Sequence, residues 1–115
     1  MADETATCIF CKIVRGEIPA TIVANNDVAI AFRDLDAKAP VHVLVVPRKH
    51  VASLDDSPDP ATLGELLALS AEVARAEGLT AGYRVVINTG PDAGQTVHHL
   101  HAHLLGGRNM AWPPG

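Results

Sequence analysis

Residues 94–107, GQTVHHLHAHLLGG, decide the fold and hold four of the six histidines of this 115-residue chain. From His99 the order is His, Leu, His, Ala, His, Leu, an alternation with a period of two residues. Because successive side chains of an extended strand point to opposite faces, His99, His101 and His103 share one face, and the apolar residues between them share the other. The stretch therefore predicts a strand with an apolar back and three imidazoles on its front.

The composition predicts a folded globular chain of one domain, residues 1–115. Hydrophobic residues make up 48% and charged residues 19%, which is typical of a chain with a single core. The net charge of −4 and the aromatic content of 3% argue against a nucleic-acid-binding surface. No stretch approaches the roughly 20 apolar residues of a membrane span, and the acidic start, MADETATCIF, lacks the basic start and apolar stretch of a signal peptide. We therefore expect a cytoplasmic protein that binds neither nucleic acid nor membranes.

The remaining segments predict an α+β fold with a five-stranded, mostly antiparallel sheet, one long helix and a short N-terminal helix. Turn residues separate short runs rich in β-branched residues, and only one segment has a long helical periodicity. A doubly wound parallel sheet would need more helical crossovers than this chain provides. The predicted segments are, in chain order, a flexible arm (1–7), a short helix (8–15), a hairpin (21–33), a central strand (42–46), a long helix (60–77), a fourth strand (83–88), the histidine strand (99–104) and a C-terminal tail (106–115).

The long helix is strongly patterned. Asp59 is suited to cap its N-terminus, Pro60 to its first position and Gly78 to its end. Apolar residues recur at spacings of three and four, which places them on one helical face. The face that we expect to be buried consists of Leu63, Leu66, Leu67, Ser70, Val73 and Ala74.

Three imidazoles on one strand face admit three interpretations. They could be unrelated surface histidines, although a strand face has little packing reason to carry several. They could chelate a metal, since His-x-His on a strand can bind zinc. They could also serve nucleophilic catalysis, because neutral imidazole is a good nucleophile near pH 7 and flanking histidines can orient it and donate to a phosphate oxygen. The preceding Gly94, Gln95 and Thr96 favour anion recognition and leaving-group protonation over a closed metal cage.

Cys8 and Cys11 form a Cys-x-x-Cys pair. In a reducing compartment a structural disulfide is not expected, which leaves metal binding, redox chemistry or a coincidental pair of small buried hydrophobes under the N-terminal helix. With His50 at the exit of the central strand and His99 at the start of the histidine strand, the pair would complete a tetrahedral Cys₂His₂ set. Zinc bound there would fix the strand while His101 performs the chemistry.

The run QTVHHLHAHLL, residues 95–105, resembles the histidine-triad signature, His-φ-His-φ-His-φ-φ with φ apolar. Residues 8–19, CIFCKIVRGEIP, resemble the N-terminal segment of that family, and residues 39–50, APVHVLVVPRKH, resemble its central strand. Residues 105–115, LGGRNMAWPPG, are similar to the C-terminal end of the HINT branch. The resemblance covers nearly the whole chain and indicates a bacterial-type HINT-like member of the histidine triad (HIT) family.

The resemblance implies a five-stranded antiparallel sheet that pairs across a two-fold axis into a ten-stranded homodimer, with the tail contributing to the dimer and the active site. It implies hydrolysis or transfer at the α-phosphate of purine nucleotides, typically at P–N bonds of adenosine 5′-phosphoramidate type. It also implies a structural zinc ion that takes no part in the chemistry. By position, His101 would be the nucleophile that forms a nucleotidyl-histidine intermediate. His103 would contact the phosphate, and His99 and His42 would support the set.

The resemblance also assigns residues to each part of an AMP derivative, and Thr96 or bound water would provide the local proton for the leaving group. Asp34 and Leu35 would line the ribose, and Phe10, Ile18 and Phe32 would lie near the base. Asn88, Gly94, Gln95 and Thr96 would hold the phosphate and the leaving group. Trp112 would reach towards the partner subunit's site.

Three departures from the family pattern stand out. The Cys8 and Cys11 pair is absent from animal HINT proteins but resembles zinc-carrying bacterial members and the uridylyltransferase relatives, in which the first triad histidine is a metal ligand. Thr96 stands where the branch often has serine, and Ala111 replaces a polar residue near the leaving-group pocket. Other functions compatible with the sequence are a dinucleoside polyphosphate hydrolase, which the Trp-Pro-Pro-Gly tail disfavours, a nucleotide-binding regulatory module with incidental hydrolysis, and a zinc-binding structural protein.

Overall fold

The structure, a computed structural model, describes residues 4–115 and confirms the predicted fold class. Five strands form one sheet in the order β1-β2-β3-β5-β4, and every neighbouring pair is antiparallel. The strands are β1 (Ile22–Asn25), β2 (Ala29–Arg33), β3 (Val41–Pro47), β4 (Tyr83–Val86) and β5 (Ala102–Gly106). The helices are α1 (Glu4–Thr7), α2 (Ile9–Val14) and α3 (Pro60–Ala76), with short 3-10 helices at Leu54–Asp56 and Pro91–Ala93. None of the described helices is long and apolar enough to span a bilayer.

Strands β1 and β2 form the predicted hairpin, and Asn26 closes its turn. The Asn26 side-chain oxygen accepts hydrogen bonds from the backbone N–H groups of Val28 and Ala29, at 2.8 and 2.7 Å. Asparagine favours such turns because its short side chain can bind the backbone two residues further on. The hairpin places β2 against β3, which is buried from its second residue to its end.

Helix α3 covers one face of the sheet and has the predicted boundary residues. The Asp59 carboxylate accepts a hydrogen bond from the Ala61 N–H at 3.1 Å, and Gly78 follows the helix with a φ of 73°, which glycine adopts without steric cost. One position of the buried face is wrong, since Leu67 is 48% exposed and Leu69 is 1% exposed. Leu67 lies about 100° around the helix from its buried neighbour in the chain, at the edge of the stripe that meets the sheet.

The opposite face of the sheet carries α2 and the histidines. Phe10 of α2 packs against Phe32 and Leu44 in a second apolar cluster. In the register of β3 with β5, Leu44 lies opposite His103, and His42 lies two residues from Leu44. Because side chains two residues apart share a face, His42 and His103 lie on the same side of the sheet as α2.

The histidine strand begins later than predicted, at Ala102 rather than at residue 99. Strand β3 ends at Pro47, which has no N–H group to donate to a neighbouring strand. The Pro47 carbonyl oxygen lies 2.8 Å from Nε2 of the His99 ring. The Leu100 N–H donates to the Val51 carbonyl at 2.6 Å, beyond the end of β3. The ladder therefore cannot continue past Ala102, and the first two histidines of the triad stand just before the strand.

The segment before α2 contains a further helical turn. Residues Glu4–Thr7 form α1, and residues 1–3 lie outside the described part of the chain, so the flexible arm over residues 1–7 stays a prediction. Cys8 caps α2, since its Sγ accepts a hydrogen bond from the Cys11 N–H at 3.4 Å. The cap fixes the Cys8 thiol next to Cys11.

Candidate functional site

Five of the six histidines gather on the face of the sheet that carries α2, in a row whose touching ring centroids are 4.9 to 5.2 Å apart. Phe10 touches both His99 and His101, with ring centroids 5.8 and 5.1 Å away, and so joins the two parts of the row. His98 is exposed and stands outside the row. From the cysteines to the loop after β2, the row consists of His50, His99, His101, His103 and His42.

His101 is oriented by one hydrogen bond. Its Nδ1 lies 2.7 Å from the backbone carbonyl oxygen of His99. A carbonyl oxygen can only accept, so Nδ1 carries the proton and Nε2 carries the lone pair. The ring is 8% exposed, and burial lowers the pKa of His101 because the charged form loses its hydration. His101 is therefore neutral at pH 7 and has a nucleophilic nitrogen.

Next to His101, His42 and His103 are hydrogen-bonded to each other, and the Asp34 carboxylate lies close to His42. His42 Nε2 lies 3.0 Å from His103 Nδ1 and 3.4 Å from Asp34 Oδ2. Asp34 Oδ1 accepts a hydrogen bond from the Asp36 N–H at 2.8 Å, which aims the other carboxylate oxygen at His42. Burial lowers the pKa of His103 to about 4 and also lowers that of His42. Both rings are therefore neutral at pH 7.

The predicted Cys₂His₂ set comes together at the other end of the row. His99 Nδ1 lies 3.3 Å from Cys8 Sγ and 3.5 Å from Cys11 Sγ, and His50 Nδ1 lies 3.4 Å from Cys11 Sγ. A tetrahedral zinc ion, with Zn–S near 2.3 Å and Zn–N of about 2.0–2.1 Å, separates its sulfur and nitrogen ligands by about 3.5 Å. The four donor atoms all lie within 4.8 Å of one another. These residues therefore fit a tetrahedral zinc ion.

The second nitrogen of His99 supports the same assignment. Its Nε2, 2.8 Å from the Pro47 carbonyl oxygen, must carry the proton, which leaves the Nδ1 lone pair directed to the cysteines. Metal-ligating histidines commonly donate their other N–H to a carbonyl, which fixes the tautomer. Burial lowers the pKa of His99 to about 4, so the ring is neutral and able to ligate. Because its backbone carbonyl holds His101, His99 connects the candidate metal group to the candidate nucleophile.

The structure places Phe10, one of the predicted base contacts, against His101. Phe10 and Phe32 are buried and meet edge to face with ring centroids 5.5 Å apart. Ile18 is half-buried in the segment after α2. Leu35 is 98% exposed. The two phenyl rings belong to a buried apolar cluster, whereas the Leu35 side chain projects into solvent.

Gln95 holds the loop before β5 rather than presenting free polar atoms. Its Nε2 donates to the carbonyl oxygens of Ala52 at 2.7 Å and Val97 at 3.2 Å, and its Oε1 accepts from the Gly90 N–H at 3.1 Å. The Gln95 backbone N–H donates in turn to the Gly90 carbonyl at 3.1 Å. The structure thus gives this residue a role in shaping the loop, and its contact with phosphate stays a prediction.

Thr96 is exposed and lines a cavity next to the candidate metal group. The cavity has a volume of about 540 Å³, and His50 also lines it. Asn88 is half-buried just after β4, and Gly94 is exposed with a φ of 82° at the end of the second 3-10 helix. Asn88, Gly94 and Thr96 lie in the segment that leads from β4 to the triad. Their contacts with a substrate stay predictions.

Trp112 lies in the tail and is 82% exposed. Arg84 of β4 donates to the Ala111 carbonyl at 3.0 Å and holds the tail beside this strand. A cavity of about 620 Å³ at this end of the sheet is lined by residues 78–84 and 107–110, and by none of the histidines. The tail leaves β5 at the end opposite to His101, so the contact of Trp112 with a partner's site stays a prediction.

Three backbone groups that orient the histidines could not be predicted from the sequence. They are the carbonyl oxygens of His99 and Pro47 and the N–H of Lys38, which donates to His42 Nδ1 at 3.0 Å. Pro47 is marked in the sequence as the end of the central strand, whereas nothing marks Lys38. Each group fixes which nitrogen of a histidine carries the proton.

Known proteins are similar to this chain in sequence and in fold. The family model of the HIT domain matches residues 15–110. The chain is 46% identical over 117 residues to a 14 kDa zinc-binding protein of Zea mays, covering 98% of this chain and 91% of that one. The crystal structure of a HIT family hydrolase from Legionella pneumophila Philadelphia 1 is 48% identical, with a TM-score of 0.91, and covers 95% of this chain and 100% of its own. A Zn-bound histidine triad family protein from Mycobacterium smegmatis is 35% identical, with a TM-score of 0.83, over 91% of this chain and 78% of that chain.

Proposed function

Because the chain belongs to the HIT family, we propose that it is a nucleotide-binding hydrolase or transferase that acts at the α-phosphate of purine nucleotides. Its proposed substrates are AMP derivatives with P–N bonds of adenosine 5′-phosphoramidate type. The observation that carries the proposal is the single hydrogen bond from His101 Nδ1 to the His99 carbonyl, which leaves a neutral ring with a lone pair on Nε2. A neutral, oriented imidazole beside hydrogen-bond donors is suited to covalent catalysis on phosphorus.

The reaction proceeds by two displacements at phosphorus. His101 Nε2 attacks the α-phosphorus, the bond from phosphorus to the leaving nitrogen breaks, and the nitrogen departs as an amine after it takes up a proton. Thr96 or bound water is the proposed route for that proton, since an amide anion is a very poor leaving group. Water then attacks the phosphorus of the nucleotidyl-histidine and returns one proton to the route that protonated the amine, the bond to Nε2 breaks, and the nucleoside monophosphate leaves. His103 donates to a phosphoryl oxygen in both steps and stabilises its charge.

The nucleotide is proposed to lie beside the triad. Phe10 and Phe32, which pack edge to face, are proposed to contact the base together with Ile18. The Asp34 carboxylate is proposed to hold the ribose together with the neighbouring Leu35. Residues 88 and 94–96 are proposed to surround the phosphate and the leaving group.

We assign zinc to Cys8, Cys11, His50 and His99, whose separations suit a tetrahedral ion. Zinc bound there supplies structural stability, since it joins α2, the segment after β3 and the start of the triad. Metal analysis of protein purified without chelators should give about one zinc per chain. Cys8→Ser should lose most of it, whereas His98→Ala, one residue from a ligand, should keep it. A wild-type content near zero would contradict the assignment.

We also propose a homodimer in which the sheet continues through the β4 edge. Within residues 4–115, β4 has a neighbouring strand on one side only, and the exposed Trp112 lies in the tail that Arg84 holds against this edge. Sedimentation should give the mass of two chains, and a monomer at the concentrations of the activity assay would contradict the proposal. A cytoplasmic location is proposed as well, because a reducing compartment would keep the proposed zinc-ligating thiols of Cys8 and Cys11 in the reduced form.

A comparison of His101→Ala with His98→Ala tests the catalytic proposal. His98 is exposed and outside the histidine row, so its substitution should leave turnover of adenosine 5′-phosphoramidate close to wild type. His101→Ala should lose about a thousandfold or more in turnover and still bind AMP, because loss of a covalent nucleophile removes the reaction path while the binding contacts remain. If His101→Ala retained more than about a tenth of the wild-type rate, the nucleophile would lie elsewhere. A substrate panel of phosphoramidates, acyl-adenylates and dinucleoside polyphosphates identifies the preferred leaving group.

A further inference from the structure

The loop between β2 and β3 gives one backbone N–H group to the histidine row. The Lys38 N–H donates to His42 Nδ1 at 3.0 Å, and the His42 ring is 5% exposed. An amide N–H can only donate, so His42 Nδ1 must present a lone pair. The proton of the neutral His42 ring is therefore on Nε2.

The position of that proton decides the state of His103. His42 Nε2 lies 3.0 Å from His103 Nδ1, and two N–H groups cannot face each other at this distance. His103 Nδ1 is thus the acceptor, and the proton of the His103 ring is on its own Nε2. The Asp34 carboxylate, 3.4 Å from His42 Nε2, adds a negative charge that favours a proton there. One backbone N–H therefore orders two imidazoles in succession.

We propose that the Lys38 N–H is a positioning group that keeps a proton on Nε2 of both His42 and His103. The group of Asp34, His42 and His103 therefore does not act as a second metal site. The Lys38 N–H sets His103 with its Nε2–H available to an anionic ligand. The consequence for catalysis, a hydrogen bond from that N–H to the phosphoryl oxygen, rests on the function proposed above. The tautomers themselves do not depend on that function.

The same three side chains otherwise have the geometry of a metal site. Their ligand atoms lie within 4.8 Å of one another, and separations of 3.0 and 3.4 Å suit ligands about 2.0–2.1 Å from a common ion. Ligation through His42 Nε2 would move the ring proton to Nδ1, where it would face the Lys38 N–H. The Lys38 N–H therefore opposes a metal ion at this group.

The contrast with His99 follows from one backbone group at each ring. At His99 the Pro47 carbonyl accepts the ring proton and leaves the other nitrogen ready for a metal. At His42 the Lys38 N–H takes the place of that carbonyl and forces the opposite arrangement. A backbone acceptor at His99 thus leaves Nδ1 free of a proton and able to bind a metal. A backbone donor at His42 instead keeps the proton on Nε2, the nitrogen that faces Asp34 and His103.

The loop that carries Lys38 is fixed on both sides of this contact. The Asp34 N–H donates to the His42 carbonyl at 3.0 Å, and the Asp36 N–H donates to the Asp34 carboxylate at 2.8 Å. Arg108, in the turn after β5, donates to the Lys38 carbonyl at 3.3 Å. These bonds hold the Lys38 peptide with its N–H towards His42.

Long-range ¹H–¹⁵N correlation of the imidazole nitrogens in the zinc-loaded wild-type protein tests the inference directly. We expect the Nε2–H tautomer at His42 and at His103, and the Nδ1–H tautomer at His101, at neutral pH. An Nδ1–H at His42 would overturn the proposal whatever the activity of the protein. A protein with the expected tautomers but without phosphoramidate turnover would instead refute the proposed function alone.

Lys38→Pro removes the N–H, and Lys38→Ala is its matched control because it keeps the N–H and loses only the exposed ion pair with Asp36. In Lys38→Pro we expect a mixture of tautomers at His42 and one additional equivalent of Co²⁺ bound by the zinc-saturated protein. Further substitution of His103→Ala should abolish that equivalent. Lys38→Ala should match wild type in both measurements. A folded Lys38→Pro protein with wild-type tautomers and no extra Co²⁺ would overturn the proposal, and if it does not fold, the wild-type spectrum decides.

Discussion

The buried histidine row should make the stability of the fold depend on pH, and His103 allows the effect to be isolated. Burial lowers its pKa from 6.5 to about 4, so the unfolded chain binds more protons than the folded one below pH 6.5. The free energy of unfolding therefore has its full value above about pH 6.5 and falls as the pH falls towards about 4. At about 1.4 kcal/mol for each pKa unit, a completely buried ring would lose about 3 kcal/mol over this range. His103 is half-buried, so we expect a loss of about 1 to 2 kcal/mol.

Urea unfolding of wild type and His103→Asn between about pH 7 and about pH 4.5 measures this contribution. Asparagine keeps an acceptor oxygen in the place of Nδ1 but does not titrate, so the variant should lose less stability as the pH falls. The buried histidines that do not contact His103, and any release of zinc, act on both proteins and drop out of the comparison. Parallel curves of unfolding free energy against pH for the two proteins would refute the reasoning.

Three further predictions concern packing. Phe10→Ala should lower the free energy of unfolding by about 3 to 5 kcal/mol, because it opens a cavity between Phe32 and the triad. Chemical denaturation measures this loss, and an unchanged free energy of unfolding would contradict that packing. Gly106→Ala would place a Cβ 2.5 Å from the Leu79 side chain and should destabilise by about 1 to 2 kcal/mol. Gly64→Ala in α3 meets no atom within 4 Å and should stabilise by about 0.5 to 1 kcal/mol, so thermal midpoints that move in the same direction for both glycine variants would contradict the structure.

Much of the fold follows from side-chain period. Alternation of apolar and polar residues marks β5, and the spacing of leucines marks α3, because each pattern matches the repeat of its element. The start of β5 could not be predicted from side-chain period. It depends on the end of the neighbouring strand at Pro47 and on the hydrogen bond between the His99 ring and the Pro47 carbonyl oxygen. The choice of Leu67 over Leu69 fails for a similar reason. The direction in which a helix faces its sheet is set by packing rather than by spacing alone.

The site divides in the same way. The four residues of the candidate metal group could be predicted, because Cys-x-x-Cys and two histidines at strand ends are side-chain features of the sequence. The tautomers of His42, His99 and His101 could not, because each is set by a backbone group whose position only the folded chain defines. The role of Gln95 in holding its loop likewise depends on the carbonyl groups of Ala52, which is distant in sequence, and Val97, which lies in the same loop. Only the folded chain brings both within reach of the Gln95 side chain.

The claim that His101 Nε2 is the nucleophile is tested most directly by trapping the covalent intermediate. Wild-type protein mixed with adenosine 5′-phosphoramidate and quenched in base, which preserves phosphohistidine, should carry one adenylyl group, and peptide mass spectrometry should place it on His101. His98→Ala should carry the same adduct, and His101→Ala should carry none. An adduct on His103, or full turnover by His101→Ala without any adduct, would contradict the account.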